Sequence, residues 1–217
     1  MDKQRTGSLA NIHVVKNFLD REEIESFKTL IAAQECHRVA DPDSSVYILD
    51  EQEELRNYIK RLNIEERVTE LASYNFGVNL SLVDNMGGFQ MRKPGDSMRV
   101  HTDAEDFEGN SYIESIIHLN FAKAMTMYVA LLYVGEEFGE GQLYFPNNEI
   151  DIDVQPGALV MFPTSNRYPH GVRKIAYGNR CVFSMYFTRK RLHDAYMDMF
   201  RLVSTHSNYV KDQSHGV

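Results

Sequence analysis

Cysteine is almost missing from this chain: Cys36 and Cys181 are the only two in 217 residues, and they form no CxxC or Cys/His motif. A disulfide framework therefore has no support, and two reduced, partly buried thiols of a cytosolic protein are expected. Long apolar runs are absent too. No run reaches membrane-spanning length, and Met1 to Arg5 leads into no apolar h-region, so neither membrane insertion nor secretion is expected. Positive charge is in deficit, with 23 Lys and Arg against 31 Asp and Glu, a net charge of -8. There is no Lys/Arg stripe, which argues against a nucleic-acid partner. Arg189-Lys190-Arg191 reads as the solvated start of a helix.

What remains is the composition of an ordinary globular protein, 43% hydrophobic and 25% charged. A chain of this length buries roughly 70% of its unfolded surface, enough for a core without staples. One domain is expected over 1–217, in three stretches. Residues 1–78 carry helical patterns, near 21–34, 51–62 and 64–74, after a short strand at Ile12 to Val15. Asp20 is the expected N-cap of the first helix, with Glu23 completing a capping box. Ala40 to Ser45 reads as loop, and Gly77 as a helix stop.

From about residue 79 short β-rich runs alternate with Gly, Pro and Asn. Strands are expected near 79–84, 88–93, 97–102, 125–134, 141–146, 150–154, 158–162, 170–175 and 179–188. Residues 191–204 return to helix, ahead of a loose tail. Helices first and then many short strands predict an α+β fold whose strands form a sandwich or jelly-roll barrel. Ala104 to Lys123 interrupts that region with Glu105, Asp106 and Glu108, a long insertion that reads equally as a lid or binding loop and as a solvated acidic insertion.

The chemistry concentrates at Met98-Arg99-Val100-His101-Thr102-Asp103. Two residues apart on a strand, His101 and Asp103 point to the same face, about 7 Å apart along the backbone. A second basic stretch follows at Tyr168 to Arg180, where His170 enters a strand and Arg180 opens the next. Neighbouring antiparallel strands lie about 5 Å apart, so His170 and Arg180 are expected to approach one pocket. Two imidazoles and a carboxylate form the facial triad of non-haem Fe(II) sites.

The segment from Gln90 to Lys190 resembles the catalytic core of the iron- and 2-oxoglutarate-dependent dioxygenases, nearest the prolyl 4-hydroxylase-like branch. The matching pieces are Pro94-Gly95 before His101-Thr102-Asp103, then Leu131 to Val134 and Gly141 to Pro146. Pro156 to Pro163, His170-Gly171-Val172 and Gly178-Asn179-Arg180 follow in family order.

The resemblance implies an enzyme with a double-stranded β-helix barrel, N-terminal helices packed on it and a C-terminal helix. Its iron ligands would be His101, Asp103 and His170. Arg180 would fork onto the far carboxylate of 2-oxoglutarate, with the Tyr133 hydroxyl as a further donor. O2 would be the second cosubstrate, and ascorbate is a candidate reductant. Asp103 favours hydroxylation over halogenation, because related halogenases have a small residue there.

If Arg180 faces inward, so do Val182, Ser184 and Tyr186, and Cys181 and Phe183 face a second layer. Tyr186 would then lie near the metal. Arg92 and Lys93 depart from the family, which often has an aromatic just before this Pro-Gly. Either could pair with the acidic 105–108 segment or meet an anionic part of a substrate. The expected substrate is a free amino acid or small natural-product precursor, with Glu105 and Asp106 hinting at a cationic one. A peptidyl prolyl substrate is the alternative, and a non-catalytic jelly-roll module with a retained metal site is the reading from another class. The sequence leaves the oligomeric state open.

Overall fold

The computed structural model describes residues 11–41, 44–49, 52–103, 127–195 and 197. It is a mixed helix and antiparallel-sheet fold in which helices cover one face of a large sheet and a smaller sheet lies on the other side.

The chain enters through β1 (His13–Val15) and turns into α1 (Arg21–Ala32). The start of α1 is fixed as expected: Glu23 N–H donates to Asp20 Oδ1 at 2.8 Å, and Asp20 N–H donates to Glu23 Oε2 at 2.9 Å. After β2 (Cys36–Asp41) and β3 (Ser44–Leu49) come α2 (Gln52–Arg61) and α3 (Ile64–Phe76). Gly77 ends α3 in the left-handed region at φ +68, where a side chain is strained. Arg67 of α3 ties the helices together, donating to Glu23 Oε1 at 2.7 Å and to the Phe18 carbonyl at 3.0 Å.

The strand region comprises β4 (Leu80–Arg92), β5 (Met98–His101), β6 (Tyr128–Val134), β7 (Gly139–Glu140) and β8 (Leu143–Phe145). It continues with β9 (Ile150–Ile152), β10 (Leu159–Pro163), β11 (His170–Val172), β12 (Ile175–Tyr177) and β13 (Arg180–Arg189). Seven strands form one sheet in the order β1-β10-β6-β13-β4-β3-β2, and four form another in the order β5-β11-β8-β9. A two-stranded ribbon, β12-β7, completes the pairing.

Period-2 alternation on β13 and β6 sorts the core into two parts. Cys181, Phe183, Met185 and Phe187 face the helices, packing with Phe27, Leu55, Ile59 and Val68. Phe89 bridges that cluster, with its ring centroid 4.6 Å from Phe183 and 6.4 Å from Phe27. Val182 and Tyr186 face the other way, with Tyr133, Leu131 and Val129, toward Leu143, Phe145 and Ile152 of the four-stranded sheet. The inward and outward sets are those the alternation predicts.

Three expectations need correction. The Ala40 to Ser45 stretch belongs to a hairpin, since β2 and β3 pair from Cys36↔Leu49 to Asp41↔Ser44 and extend the large sheet. Its second strand carries Val46, Tyr47 and Ile48, residue types that favour strands. The two strands expected at 79–84 and 88–93 are one strand, β4. Its ladder to β13 is interrupted, however: between Met185↔Gly87 and Phe187↔Leu82 the register advances two residues on β13 and five on β4. The run expected at 170–175 divides into β11 and β12, which belong to different sheets. Residues 190–195 are helical, in keeping with the C-terminal helix; the remainder of 191–204 is largely outside the described residues.

Candidate metal and anion site

β5 and β11 are neighbours, and their register sets His170 directly opposite His101. β5 ends at His101, so Asp103 reaches the same point from a turn rather than from the strand. The His101 and His170 ring centroids are 4.5 Å apart. His101 Nε2 stands 3.8 Å from Asp103 Oδ1, and His170 Nε2 stands 3.9 Å from Asp103 Oδ2.

These separations are too long for hydrogen bonds. They suit a shared ion: two donors each about 2.1 Å from one metal are at most about 4.2 Å apart. One ligand atom from each of the three residues lies within 4.8 Å of the other two.

The imidazoles are oriented for that task. His101 Nδ1 lies 3.2 Å from the Arg99 carbonyl, and His170 Nδ1 lies 3.1 Å from the Tyr168 carbonyl. A carbonyl only accepts, so the proton sits on Nδ1 and the Nε2 lone pair is left to face Asp103. Phe162 packs on His170 edge-on at 4.7 Å and Phe145 at 5.7 Å, which fixes the ring and keeps water from that side. These two aromatics were not among the sequence candidates. Their only signal is period-2 placement on β8 and β10.

Tyr186 closes the carboxylate side, its hydroxyl donating to Asp103 Oδ1 at 3.4 Å. Burial, then the Asp103 charge and this hydrogen bond, hold Tyr186 well above the ordinary tyrosine range. It is therefore a neutral donor.

A second cluster is cationic. Arg180 Nη2 donates to the Tyr133 hydroxyl at 2.7 Å, and both residues are buried. Burial raises the Tyr133 pKa, against the opposing pull of Arg180 and Arg92. The Arg180 Nε is buried and, among the described residues, finds no hydrogen-bond partner. A buried guanidinium with an unused donor suits a carboxylate, which it can grip with two charge-assisted bonds.

His170 and Arg180 are not on neighbouring strands, contrary to expectation. β11 sits in the four-stranded sheet and β13 at the centre of the seven-stranded one. Arg92 is buried across from Arg180, its Cα partner on β4. Lys93, one residue on, alternates away and places its Nζ 4.1 Å from the Tyr47 ring centroid. Glu105, Asp106 and the rest of the acidic insertion lie outside the described residues.

No known family profile matches the chain. Human prolyl 3-hydroxylase 1 is 30% identical over 111 residues, 48% of this chain and 14% of that protein. The rat protein of the same name is 32% identical over 87 residues, 37% of this chain and 12% of that protein. The chain thus spans only about one seventh or less of the length of these curated relatives. Among solved structures, an oxidoreductase of the 2OG-Fe(II) oxygenase family from Burkholderia pseudomallei superposes with a TM-score of 0.61 at 12% identity. That match covers 82% of this chain and 86% of the other.

The fold is that of the 2OG-Fe(II) oxygenases. A prolyl-4-hydroxylase from Pseudomonas putida shares it, with a TM-score of 0.54 at 19% identity over 83% of this chain and 93% of that one. The resemblance read from the motifs is thus supported, and the chain is prolyl hydroxylase-like in both sequence and fold. No helix among the described residues is long and apolar enough to cross a membrane.

Proposed function

We propose that the protein is an Fe(II)- and 2-oxoglutarate-dependent dioxygenase that hydroxylates an unactivated carbon. The observation that carries this reading is the His101, Asp103 and His170 cluster, with donors at ion-sharing distance and both imidazoles turned Nε2-forward. His101, Asp103 and His170 would hold the iron, leaving positions open for cosubstrate. Arg180 and Tyr133 would hold the far carboxylate of 2-oxoglutarate. When bound, iron and 2-oxoglutarate would supply the oxidising power for C–H hydroxylation, with succinate and carbon dioxide as coproducts.

The chain's own residues orient and exclude. Arg99 and Tyr168 carbonyls fix the imidazole tautomers, Tyr186 steadies Asp103, and Phe145 and Phe162 keep the His170 side dry. The two free cysteines fit a reducing compartment such as the cytoplasm. We take 1–217 as one domain whose two sheets form the jelly-roll barrel of this fold.

Two substrate readings remain. A free amino acid or small precursor, cationic in view of Glu105 and Asp106, is the first. A prolyl residue in a peptide is the second, and the likeness to prolyl 3-hydroxylases gives it the stronger support.

Anaerobic Fe(II) with 2-oxoglutarate should give the weak visible charge-transfer band of a chelated complex, and His170→Ala should remove it. Metal binding by the wild type with no such band counts against the cosubstrate. Succinate release across free amino acids and proline-containing peptides, with mass detection of an added oxygen, separates the two substrates.

A further inference from the structure

Arg92 and Arg180 are Cα partners across β4 and β13, so their side chains leave the sheet on the same face. Both are buried, at 6% and 2% exposure. Among the described residues the Nε of each finds no hydrogen-bond partner, and the Arg92 guanidinium makes a weak polar contact, Nη2 to Met98 Sδ at 3.0 Å. Met98 opens β5, the strand that ends in His101, so Arg92 spans from the large sheet to the metal-bearing strand. Among the described residues neither guanidinium has a carboxylate within ion-pair distance. Asp96 favours the Arg92 charge only from farther off, and burial and Arg180 together lower its pKa to about 10. It is still a full cation at neutral pH.

Two like charges held side by side out of water are costly unless an anion completes them. A single bidentate guanidinium satisfies one carboxylate; two guanidiniums and a phenol match a fully desolvated one.

We propose that Arg92 and Arg180 together form a paired-guanidinium seat for the distal carboxylate of a 2-oxo dicarboxylate. Arg92 is then a binding residue for the cosubstrate rather than for the lid or the substrate. This rests on the 2-oxoglutarate reading given above.

The test is calorimetric titration of the Mn(II)-loaded protein with 2-oxoglutarate and with 2-oxobutyrate, which lacks the distal carboxylate. Arg92→Met should weaken 2-oxoglutarate by about 10- to 100-fold, the loss of charge-assisted bonds. It should leave 2-oxobutyrate unchanged, and Arg92→Lys should recover part of the loss. The melting temperature of ligand-free Arg92→Met should equal or exceed that of the wild type, because a buried like charge has been removed. Its gain on adding 2-oxoglutarate should shrink.

Wild-type affinity for 2-oxoglutarate in Arg92→Met overturns the proposal and leaves Arg92 to some other anion. Equal losses for both ligands, with a lowered ligand-free melting temperature, overturn it in favour of a packing role. If the wild type binds the two ligands equally and Arg180→Met changes nothing, the cosubstrate reading itself fails, and this proposal with it.

Discussion

The Tyr133 hydroxyl accepts a hydrogen bond from Arg180 Nη2 at 2.7 Å in a wholly buried setting. That bond uses one lone pair of the phenol and keeps its proton for another acceptor. Tyr133→Phe should therefore weaken 2-oxoglutarate by about tenfold, losing one bond to Arg180 and one to the ligand. Titration of the Mn(II)-loaded variant checks this. Unchanged affinity would confine Tyr133 to holding Arg180 in place.

Gly171 lies on β11 next to His170, hemmed in between β5 on one side and β8 on the other. A Cβ there would stand 2.8 Å from the Met98 carbonyl and 2.6 Å from the Tyr144 ring. The ring can shift, but the β5 backbone moves only by drawing His101 away from His170. Gly171→Ala should thus lower metal affinity by about 10- to 100-fold, as other losses of ligand support do. Mn(II) titration followed by electron paramagnetic resonance is the measurement. A tight site in this variant would show that β5 and β11 tolerate separation.

Phe27 fills the junction between α1, α2 and the large sheet, fully buried, with its ring 4.9 Å edge-on to Tyr58. Phe27→Ala should cost about 3–5 kcal/mol of unfolding free energy, through lost burial and the cavity left behind. Urea denaturation reads it. A loss below 1 kcal/mol would mean that the helices repack freely on the sheet.

Cys181 is buried under those helices, and burial pushes its thiol up to about 12, with Arg180 pulling weakly the other way. At pH 8 a disulfide reagent should titrate fewer than two thiols in the native protein and both after denaturation, because the thiolate is the reactive form. A raised folded pKa stabilises the protonated fold at low pH, and this contribution is lost between about pH 9 and 12. Cys181→Ala should accordingly flatten the fall of stability over that range, as followed by thermal melts. Rapid native labelling at Cys181 would contradict its burial.

That His101, Asp103 and His170 come together was legible because the parts are local. His101 and Asp103 lie within one short stretch, and His170 sits in a motif whose spacing is specific. Alternation also sorted β13 correctly, with Val182 and Tyr186 inward and Cys181 and Phe183 toward the helices. Strand adjacency was not legible. Sheet order is decided by contacts far apart in sequence, and nothing local says that β11 pairs with β5 and β8 while β13 lies between β6 and β4. Arg92 was singled out with Lys93, but only as a cation for the acidic 105–108 segment or for an anionic part of a substrate. Only its Cα partner Arg180 across the ladder shows that it stands beside a second buried cation. The β2–β3 pairing was hidden because Asp, Pro and Ser crowd the 40–45 stretch, and those residue types read as loop chemistry.

Among the described residues β5 stands at the edge of the four-stranded sheet, with β11 as its one neighbour there and ladder partners at Met98 and His101. An ion gripping His101 and His170 would act as a clasp across that pair, joining positions 69 residues apart in the chain. Fastening a loop of that length removes entropy from the unhooked state, so the edge strand would be held far more firmly with metal than without. Chelation would then first be felt as faster amide exchange along Met98 to His101, before any change in the helices. The ion would serve the architecture as well as the chemistry.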